Sequence, residues 1–325
     1  MHATLKCILA AALFLGSAAV ASAQAPAWPA KPVKVIVPFA PGGTVDILAR
    51  YLSHQLGTAF GQTLVVENRP GAGGNIGTEA VVRAPGDGYT LLISGSPTHV
   101  VNPHLYKNLS YNPIQDLAPI ALIASAPNLL VVNPALPINS VDDLVKLARS
   151  KPGSISYSSA GNGTSGHLAG ELLHNQARID IQHVPYKGQA DAITGVIRGD
   201  VAFAFVTIPG TLQHVTAGRL RAIAISSKAR SALAPDVPTV AQSGFPDFEV
   251  LGWYSVSAPK SVAPDIAARL TGELARIMKE PATLERLQTL GAEPSFVTGQ
   301  AFVDFMLRDS AKWGKVIRDS GATVN

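Results

Sequence analysis

Thiols are almost absent from this sequence, whose 325 residues include a single cysteine, Cys7. Cys7 directly precedes an apolar segment, Ile8 to Val20, that follows Lys6 and leads to the small residues Ala21-Ser22-Ala23. This pattern is typical of a secretory signal peptide, cleaved near Ala23 and before Gln24. The apolar run is too short to cross a bilayer, which takes about 20 residues. An exported chain cleaved there has no thiol, which excludes disulfides, iron-sulfur clusters and thiolate catalysis.

Basic runs and aromatic residues are also scarce. Lysine and arginine are scattered, and aromatic residues make up only 6% of the chain. A nucleic-acid surface needs clustered cations, so we expect no nucleic-acid partner. The formal charge of +4, which becomes +3 without Lys6, favours small anions instead. Hydrophobic residues form 47% and charged residues 15% of the sequence, which indicates a well-buried core.

Strand and helix patterns alternate along the chain, which predicts an α/β protein. Apolar residues from Pro119 to Val132 lead the chain out of a first domain, and Phe248 to Tyr254 is typical of a strand that returns to it. Two later segments with helical spacing, Pro264 to Met278 and Gln300 to Ile317, are predicted to pack on the first domain. Two crossings between domains predict a hinge and a cleft.

The predicted architecture is therefore a two-domain α/β fold, in which each domain is a mostly parallel sheet flanked by helices. Residues 1–23 form the signal peptide, and removing them from 325 leaves 302, a length that suits two medium domains. Residues 24–125 together with 251–325 form domain 1, and residues 126–250 form domain 2. We expect ligands at the carboxyl ends of the strands.

A strand that runs into a glycine turn is the most informative motif. The apolar run Val33 to Val37 predicts a buried strand, and Pro38 to Asp46 predicts a turn followed by a helix that begins near Val45. Thr44 or Asp46 is expected to cap this helix. Helix N-termini attract anions, which favours a carboxylate, sulfonate or phosphate ligand. A purely structural turn is the alternative.

A second glycine loop, Ala160 to Glu171, also follows a predicted strand and begins a helix. Residues 161–166 match G-x-G-x-x-G, and Asp180 lies near the distance expected for a ribose-binding acid. An exported protein meets little nicotinamide cofactor, so we favour an anion loop in which backbone amides and the Thr164 and Ser165 hydroxyls bind a carboxylate.

Other candidate residues carry simpler interpretations. His167, His174 and His183 fit no compact metal motif, and we assign no metal or cofactor. Ser165 and His167 lack the geometry of a hydrolase pair, so no catalytic residue is predicted. Lys187 either points a cation into the cleft or stays solvated.

From Trp28 to the C-terminus the chain resembles the substrate-binding receptors of tripartite tricarboxylate transporters, also called Bordetella uptake gene (Bug-type) receptors. The matching segments are Trp28-Pro29, Pro38 to Asp46, Glu67 to Gly77, Asp87 to Leu92, Gly161 to Glu171, Val184 to Gly188 and Pro235 to Thr239. The block Asn68-Arg69-Pro70-Gly71-Ala72-Gly73-Gly74 is the most specific of them.

This resemblance implies a periplasmic receptor, without enzymatic activity or cofactor, whose two domains close on a small organic carboxylate. Membrane transporter subunits of the tripartite tricarboxylate type are the implied partners, and we expect a monomer. A receptor that serves a sensor kinase is the alternative, and a periplasmic enzyme acting on a carboxylate is less favoured.

In such receptors the loop that corresponds to Phe39 to Asp46 grips a ligand carboxylate, partly through ordered water, and the opposite loop completes the site. The predicted ligand-binding residues are Phe39, Ala40, Gly42, Gly43, Thr44, Asp46, Ser94, Ser96, Thr98, Asn162, Gly163, Thr164, Ser165, His167, Lys187, Val206 and Thr207.

One position departs from the family. Many relatives carry an aspartate where this chain has Val206, and that carboxylate can pair with a ligand ammonium. Its absence favours a ligand without an amino group, such as a dicarboxylate or an aromatic acid.

Overall fold

The computed structural model describes residues 28–321 and residue 324, so the predicted signal peptide and Cys7 lie outside the described residues. The strands are β1 Val33–Val37, β2 Leu64–Asn68, β3 Thr90–Gly95, β4 Leu117–Val132, β5 Ile155–Ser159, β6 Ile181–Pro185, β7 Phe203–Thr207, β8 Arg221–Ile225, β9 Leu251–Pro259 and β10 Glu293–Thr298. The helices are α1 Thr44–Phe60, α2 Asn75–Val82, α3 Asn102–Leu105, α4 Val141–Ser150, α5 Ser165–Ala177, α6 Gln189–Arg198, α7 Ile208–Thr216, α8 Pro264–Ile277, α9 Pro281–Thr289 and α10 Gly299–Ser320. A π-helical turn, Pro97–Val101, joins β3 to α3.

In the first half of the fold, β1 lies between β2 and β3 and is parallel to both. Val33, Val35 and Val37 face the same apolar cluster as helix α1, whereas Ile36 packs on the other side with Val81. Burial on both faces explains why this strand is a nearly continuous apolar run, as is usual for parallel strands covered by helices.

In the second half, β5 lies between β6 and β7 and is parallel to both. Each of these three strands leads directly into a helix, so that β5 is followed by α5, β6 by α6 and β7 by α7. Because the strands are parallel, these helices begin at the same edge of the sheet. The chain therefore brings several helix N-termini together on one side of this half.

Strand β4 belongs to both halves. Residues 117–127 of β4 pair with β9, and β10 pairs along the same part. Residues 128–132 pair with β7 and β8. All of these pairs are antiparallel, so each half is a mixed sheet in which the parallel pairs lie away from β4. The predicted α/β class is confirmed, whereas the exact domain limits stay a prediction.

Helix α10 contacts both halves of the fold. Its buried side chains Phe302, Met306 and Trp313 fall in the same apolar cluster as Leu168 of α5. The Asn175 side-chain amide of α5 donates to the Val316 carbonyl oxygen at 3.3 Å. The C-terminal helix therefore packs on the second half as well as on the first. Within the described residues no helix has the length and apolar composition needed to cross a bilayer.

Candidate functional site

Four helices that follow parallel strands begin without a side-chain cap: α1, α5, α6 and α7. The first turn of a helix leaves its backbone N–H groups without intrahelical partners, and these groups attract anions. Helix α4 provides the contrast, since the Asp143 N–H donates to Ser140 Oγ at 3.1 Å. Helices α2, α3, α8, α9 and α10 also lack a side-chain cap, so the absence of a cap is common in this fold. The four helices are candidate anion-binding elements because they begin beyond the carboxyl ends of parallel strands, where ligands of open α/β sheets bind.

The first candidate loop, Pro38 to Gly43, is held in place from behind. Gly42 has a φ of +85° and donates its N–H to Asp46 Oδ2 at 2.9 Å. Asn68 Nδ2 donates to the Phe39 carbonyl oxygen at 3.0 Å and to Asp46 Oδ1 at 2.9 Å. Neither Thr44 nor Asp46 caps α1, because the N-cap position is Gly43. Gly43, at φ −77° and ψ 166°, leaves the N-terminus of the helix open.

Asp46 supports the loop and is not available as a free charge. Its side chain is buried, and it pairs with Arg50, whose Nη2 lies 3.0 Å from Asp46 Oδ1. Burial alone raises the pKa of Asp46, but hydrogen bonds from Arg50, Gly42 and Asn68 outweigh it, and the net pKa is below the usual range. The carboxylate is ionised and fully partnered. It therefore offers no site for a ligand ammonium.

Asn68 supports the first loop, although it is not among the ligand-binding residues predicted from the sequence. Replacing Asn68 with alanine removes its bonds to Phe39 and Asp46, and we expect about a tenfold loss of ligand affinity, equivalent to about 1.4 kcal/mol. Isothermal titration calorimetry with a carboxylate that binds the wild type measures this loss of affinity. The control is Asn133→Ala, because Asn133 Nδ2 also donates to two carbonyl oxygens. Asn133 directly follows β4 in the second half, whereas Asn68 ends β2 in the first half. Equal losses in both variants would contradict the supporting role.

The side chains at the end of β3 are buried. Ser94, Ser96 and Thr98 are 3% exposed or less. Ser94 Oγ lies 2.5 Å from Thr98 Oγ1, and both approach the ring of His99. His99 in turn bonds Ser257 Oγ of β9 at 3.1 Å. The structure thus places Ser94 and Thr98 in an internal hydrogen-bond network, and it buries Ser96 beside them.

The second candidate loop, Ala160 to Thr164, carries exposed and buried groups side by side. Asn162 is exposed, and Gly163 is buried with a φ of +77°. Thr164 Oγ1 donates to the Gly161 carbonyl oxygen at 2.7 Å. Ser165 Oγ donates to Asn128 Oδ1 at 3.2 Å. The hydroxyls therefore shape the loop, and the free backbone N–H groups at the start of α5 remain its anion-binding element.

The N-termini of α1 and α5 approach the same strand, β9. The Thr44 side chain is hydrogen-bonded to Tyr254, whose pKa burial raises to about 12, so that the phenol stays neutral. A methyl group added at Gly252 would lie 3.4 Å from Ser165 Oγ. Residues 252 and 254 lie on the same face of a strand, about 7 Å apart. A small molecule at this position can contact both halves of the fold.

Three predicted residues lie at or just beyond the carboxyl ends of β6 and β7 in the second half. Lys187 is exposed beside the start of α6. Thr207 precedes α7, and its N–H and hydroxyl both donate to Gln189 Oε1. Val206 is only 3% exposed and packs in the apolar cluster with Leu129. Because its side chain faces the core, Val206 gives no direct information on a ligand ammonium.

His167 is 4% exposed and lies behind the second loop, where its Nδ1 accepts the Gly163 N–H at 3.1 Å. Several supporting residues were not predicted from the sequence: Asn68, Asn128, Tyr254, His183 and Gln189. Asn128 could have been recognised from the sequence, because it is a polar residue within a largely apolar strand. The other residues act through contacts between distant parts of the chain, which sequence spacing does not report.

Cavities and metal ligands add no competing site. A groove of about 570 Å³ lies between α1 and β2 and is lined by Arg50, Ser53 and His54 among others. None of the residues that line it belongs to either glycine loop. Within the part of the chain that the structure describes, no group of three or more His, Cys, Asp or Glu side chains is arranged to hold a metal.

Comparison with known proteins gives the family. The sequence profile described as "Tripartite tricarboxylate transporter family receptor" matches residues 48–322. Protein BugT of Bordetella pertussis is 36% identical over 314 residues, which cover 96% of each chain.

Solved structures agree with this assignment. An R. palustris protein solved with adipate is 34% identical, covers 90% of this chain and 98% of its own, and superposes with a TM-score of 0.83. MatC from Rhodopseudomonas palustris, solved with bound malate, is 27% identical with a TM-score of 0.79 and covers 89% of this chain and 100% of its own. These likenesses confirm the predicted two-domain periplasmic binding protein architecture. The chain therefore belongs to the tripartite tricarboxylate transporter family of receptors.

Proposed function

We propose that this protein is a periplasmic receptor that captures a small dicarboxylate or aromatic acid between its two halves and delivers it to a tripartite tricarboxylate-type transporter. The observation that carries the proposal is that four helices, α1 in the first half and α5, α6 and α7 in the second, begin with open N-termini beyond the carboxyl ends of parallel strands. Each N-terminus stabilises a nearby negative charge, by about 0.3 to 1 kcal/mol at an exposed site.

The distribution of these helices favours a ligand with two charged ends. One carboxylate meets the N-terminus of α1, and the other meets the N-termini of the second half, so that the ligand joins the two halves. Adipate and malate, which are present in the solved relatives, both have this form. A ligand bound between two bodies stabilises their closed arrangement.

The charges around the loops disfavour an amino acid. A ligand ammonium needs an unpaired carboxylate, and Asp46, the acid in the first turn of α1, is already paired with Arg50 and bonded by Asn68. The exposed Lys187 lies beside the start of α6 and adds a cation on the second half. The net preference is for anions without a positive group.

A thermal-shift screen followed by calorimetry tests the proposal. C4 to C6 dicarboxylates such as malate and adipate, and aromatic acids, are compared with glutamate and aspartate. We expect at least one acid without an amino group to raise Tm with increasing dose, because a ligand that binds only the native state stabilises it by about 2.7 kcal/mol at 100 times Kd. No shift with any carboxylate would contradict the receptor function, tight binding of amino acids alone would contradict the ligand class, and product formation would indicate an enzyme.

A further inference from the structure

Two histidine rings lie stacked behind the second candidate loop, outside the surface that faces the ligand. His167 of α5 and His183 of β6 have ring centroids 4.0 Å apart and an interplanar angle of 24°. Each ring reaches one glycine of the loop, directly or through a single hydroxyl. The loop glycines, Gly161 and Gly163, have φ values of +129° and +77°, a region that other residues rarely adopt.

The contact with Gly163 is direct. His167 Nδ1 lies 3.1 Å from the Gly163 nitrogen, which is a hydrogen-bond donor, so Nδ1 must be the unprotonated nitrogen of the ring. The proton of a neutral ring is then on Nε2. Protonating Nδ1 would remove the acceptor and place two N–H groups against each other. This contact therefore exists only while His167 is uncharged.

The contact with Gly161 passes through Ser159. Ser159 Oγ accepts the Gly161 N–H at 3.1 Å and lies 3.0 Å from the Gly161 carbonyl oxygen. It also lies 2.7 Å from His183 Nε2. A hydroxyl has one proton and two acceptor lone pairs, so all three contacts are satisfied when Ser159 donates to the carbonyl and His183 donates from Nε2.

The space behind the loop makes these bonds necessary. A cavity of about 180 Å³ lies there, and Asn162, His167, Glu171 and His183 line it together with Leu105, Ser320 and Val324. Packing alone does not support a backbone that borders a cavity, whereas directed hydrogen bonds fix it.

We propose that His167 and His183 are positioning residues, which hold the second loop in its ligand-binding shape, His183 by donating to Ser159 and His167 by a hydrogen bond that only its uncharged ring can accept. The proposal rests on the proposed function, because the loop must bind the ligand for its shape to matter. His167 thus acts through Gly163 and does not touch the carboxylate.

The surroundings of His167 and His183 favour the uncharged state of both rings. Burial, together with the neighbouring ring of His167, lowers the pKa of His183 to about 3. Burial also lowers the pKa of His167, while the carboxylate of Glu171, with Oε1 3.7 Å from His167 Nε2, raises it. The Tyr157 hydroxyl donates to the same Glu171 oxygen at 2.7 Å, which partly satisfies that charge. The other residues that line the cavity carry no titratable side chain.

The ligand-free protein provides the first test. Long-range nitrogen NMR of the histidine rings at pH 7 should show His167 and His183 as neutral rings with the proton on Nε2, and the Gly163 amide should exchange slowly with solvent. A charged His167 at pH 7, or a rapidly exchanging Gly163 amide, would overturn the proposal without any ligand.

Variants provide the second test, with adipate as the probe if it binds the wild type and otherwise the tightest acid of the screen. His167→Phe keeps a ring against His183 but removes the acceptor, and we expect at least a tenfold loss of affinity together with faster exchange at Gly163. His167→Asn loses the ring but places an oxygen near the former Nδ1, so it should retain most of the affinity. His174→Phe makes the same change on α5 outside the network and should bind like the wild type.

The two hypotheses fail in different ways. If no acid binds the wild type, the proposed function is wrong, while the NMR result still decides the role of the histidines. If the wild type binds an acid and His167→Phe retains both its affinity and the protection of Gly163, the positioning role is wrong. Circular dichroism and Tm of each variant confirm that the fold is intact.

Discussion

Replacing Gly43 with aspartate should abolish carboxylate binding while leaving the protein as stable as before or slightly more stable. Gly43 occupies the N-cap of α1 at φ −77° and ψ 166°, the backbone conformation that aspartate adopts at this position. A Cβ there would have only the Ala40 carbonyl oxygen nearby, at 3.8 Å. The new carboxylate can therefore accept the free N–H groups of the first turn.

The substitution should maintain or raise stability while it lowers ligand affinity, and a general loss of structure would not produce this combination. The added cap stabilises the helix by a few tenths of a kcal/mol relative to glycine, and its interaction with the helix dipole adds about 0.3 to 1 kcal/mol. The same carboxylate occupies the N–H groups that the ligand needs and repels its charge. We expect at least a hundredfold loss of affinity, which is equivalent to about 2.7 kcal/mol.

Calorimetry with the tightest acid, together with urea unfolding, measures both effects. The control is Gly272→Asp, because Gly272 is exposed on α8 with open space around it and the change in net charge is the same. This variant should bind like the wild type. Normal binding by Gly43→Asp would place the ligand away from the N-terminus of α1.

The candidate loops could be predicted from the sequence because their signals are local. A buried apolar strand, two prolines and a pair of glycines stand together within residues 33–43, and the second loop has a similar order. The capping of α4 by Ser140 is equally local. Strand β10 was not predicted, since its pairing with β4 is interrupted between Pro294 and Val297, which hides the alternation of apolar and polar residues.

The orientation of side chains could not be predicted in the same way. Val206 lies near the end of β7, and successive side chains of a strand point to opposite faces of the sheet. Its burial with Leu129 therefore depends on how β7 pairs with β4. Likewise Asn68 reaches Phe39 only because β1 and β2 are parallel neighbours in register. These contacts depend on the sheet order, which adjacent residues do not encode.

Acid should destabilise the protein strongly between about pH 6.5 and pH 4, and His99 and His183 are the two main reasons. His99 is 1% exposed, and burial lowers its pKa to about 4, although its bond to the Gly95 carbonyl oxygen acts in the opposite direction. An unfolded chain has the ordinary histidine pKa of about 6.5. In this interval the unfolded state binds the proton and the folded state does not, so the free energy of unfolding falls as the pH falls.

The expected loss from His99 is roughly 3 kcal/mol, a large share of the 5 to 15 kcal/mol that stabilises a typical protein. The pKa of His183, lowered to about 3, adds a loss of similar size over the same interval. Asp309 acts in the opposite direction, because burial raises its pKa and the folded state therefore takes up its proton first as the pH falls. Its contribution makes the free energy of unfolding fall less steeply with pH near the acid end of the range, but it does not reverse the fall.

Urea unfolding at pH 7, 6, 5 and 4 measures this dependence. His99→Asn keeps a donor for the Gly95 carbonyl oxygen but cannot titrate, so its stability should fall by roughly half as much over the same range, the remainder being due to His183. His54→Asn is the matched control, since His54 is exposed on α1, and it should retain the full decline of the wild type. A wild-type protein that is equally stable at pH 7 and pH 4, or a His99→Asn variant with an unchanged slope, would show that the buried network around Ser94 and Ser257 accommodates a charged ring.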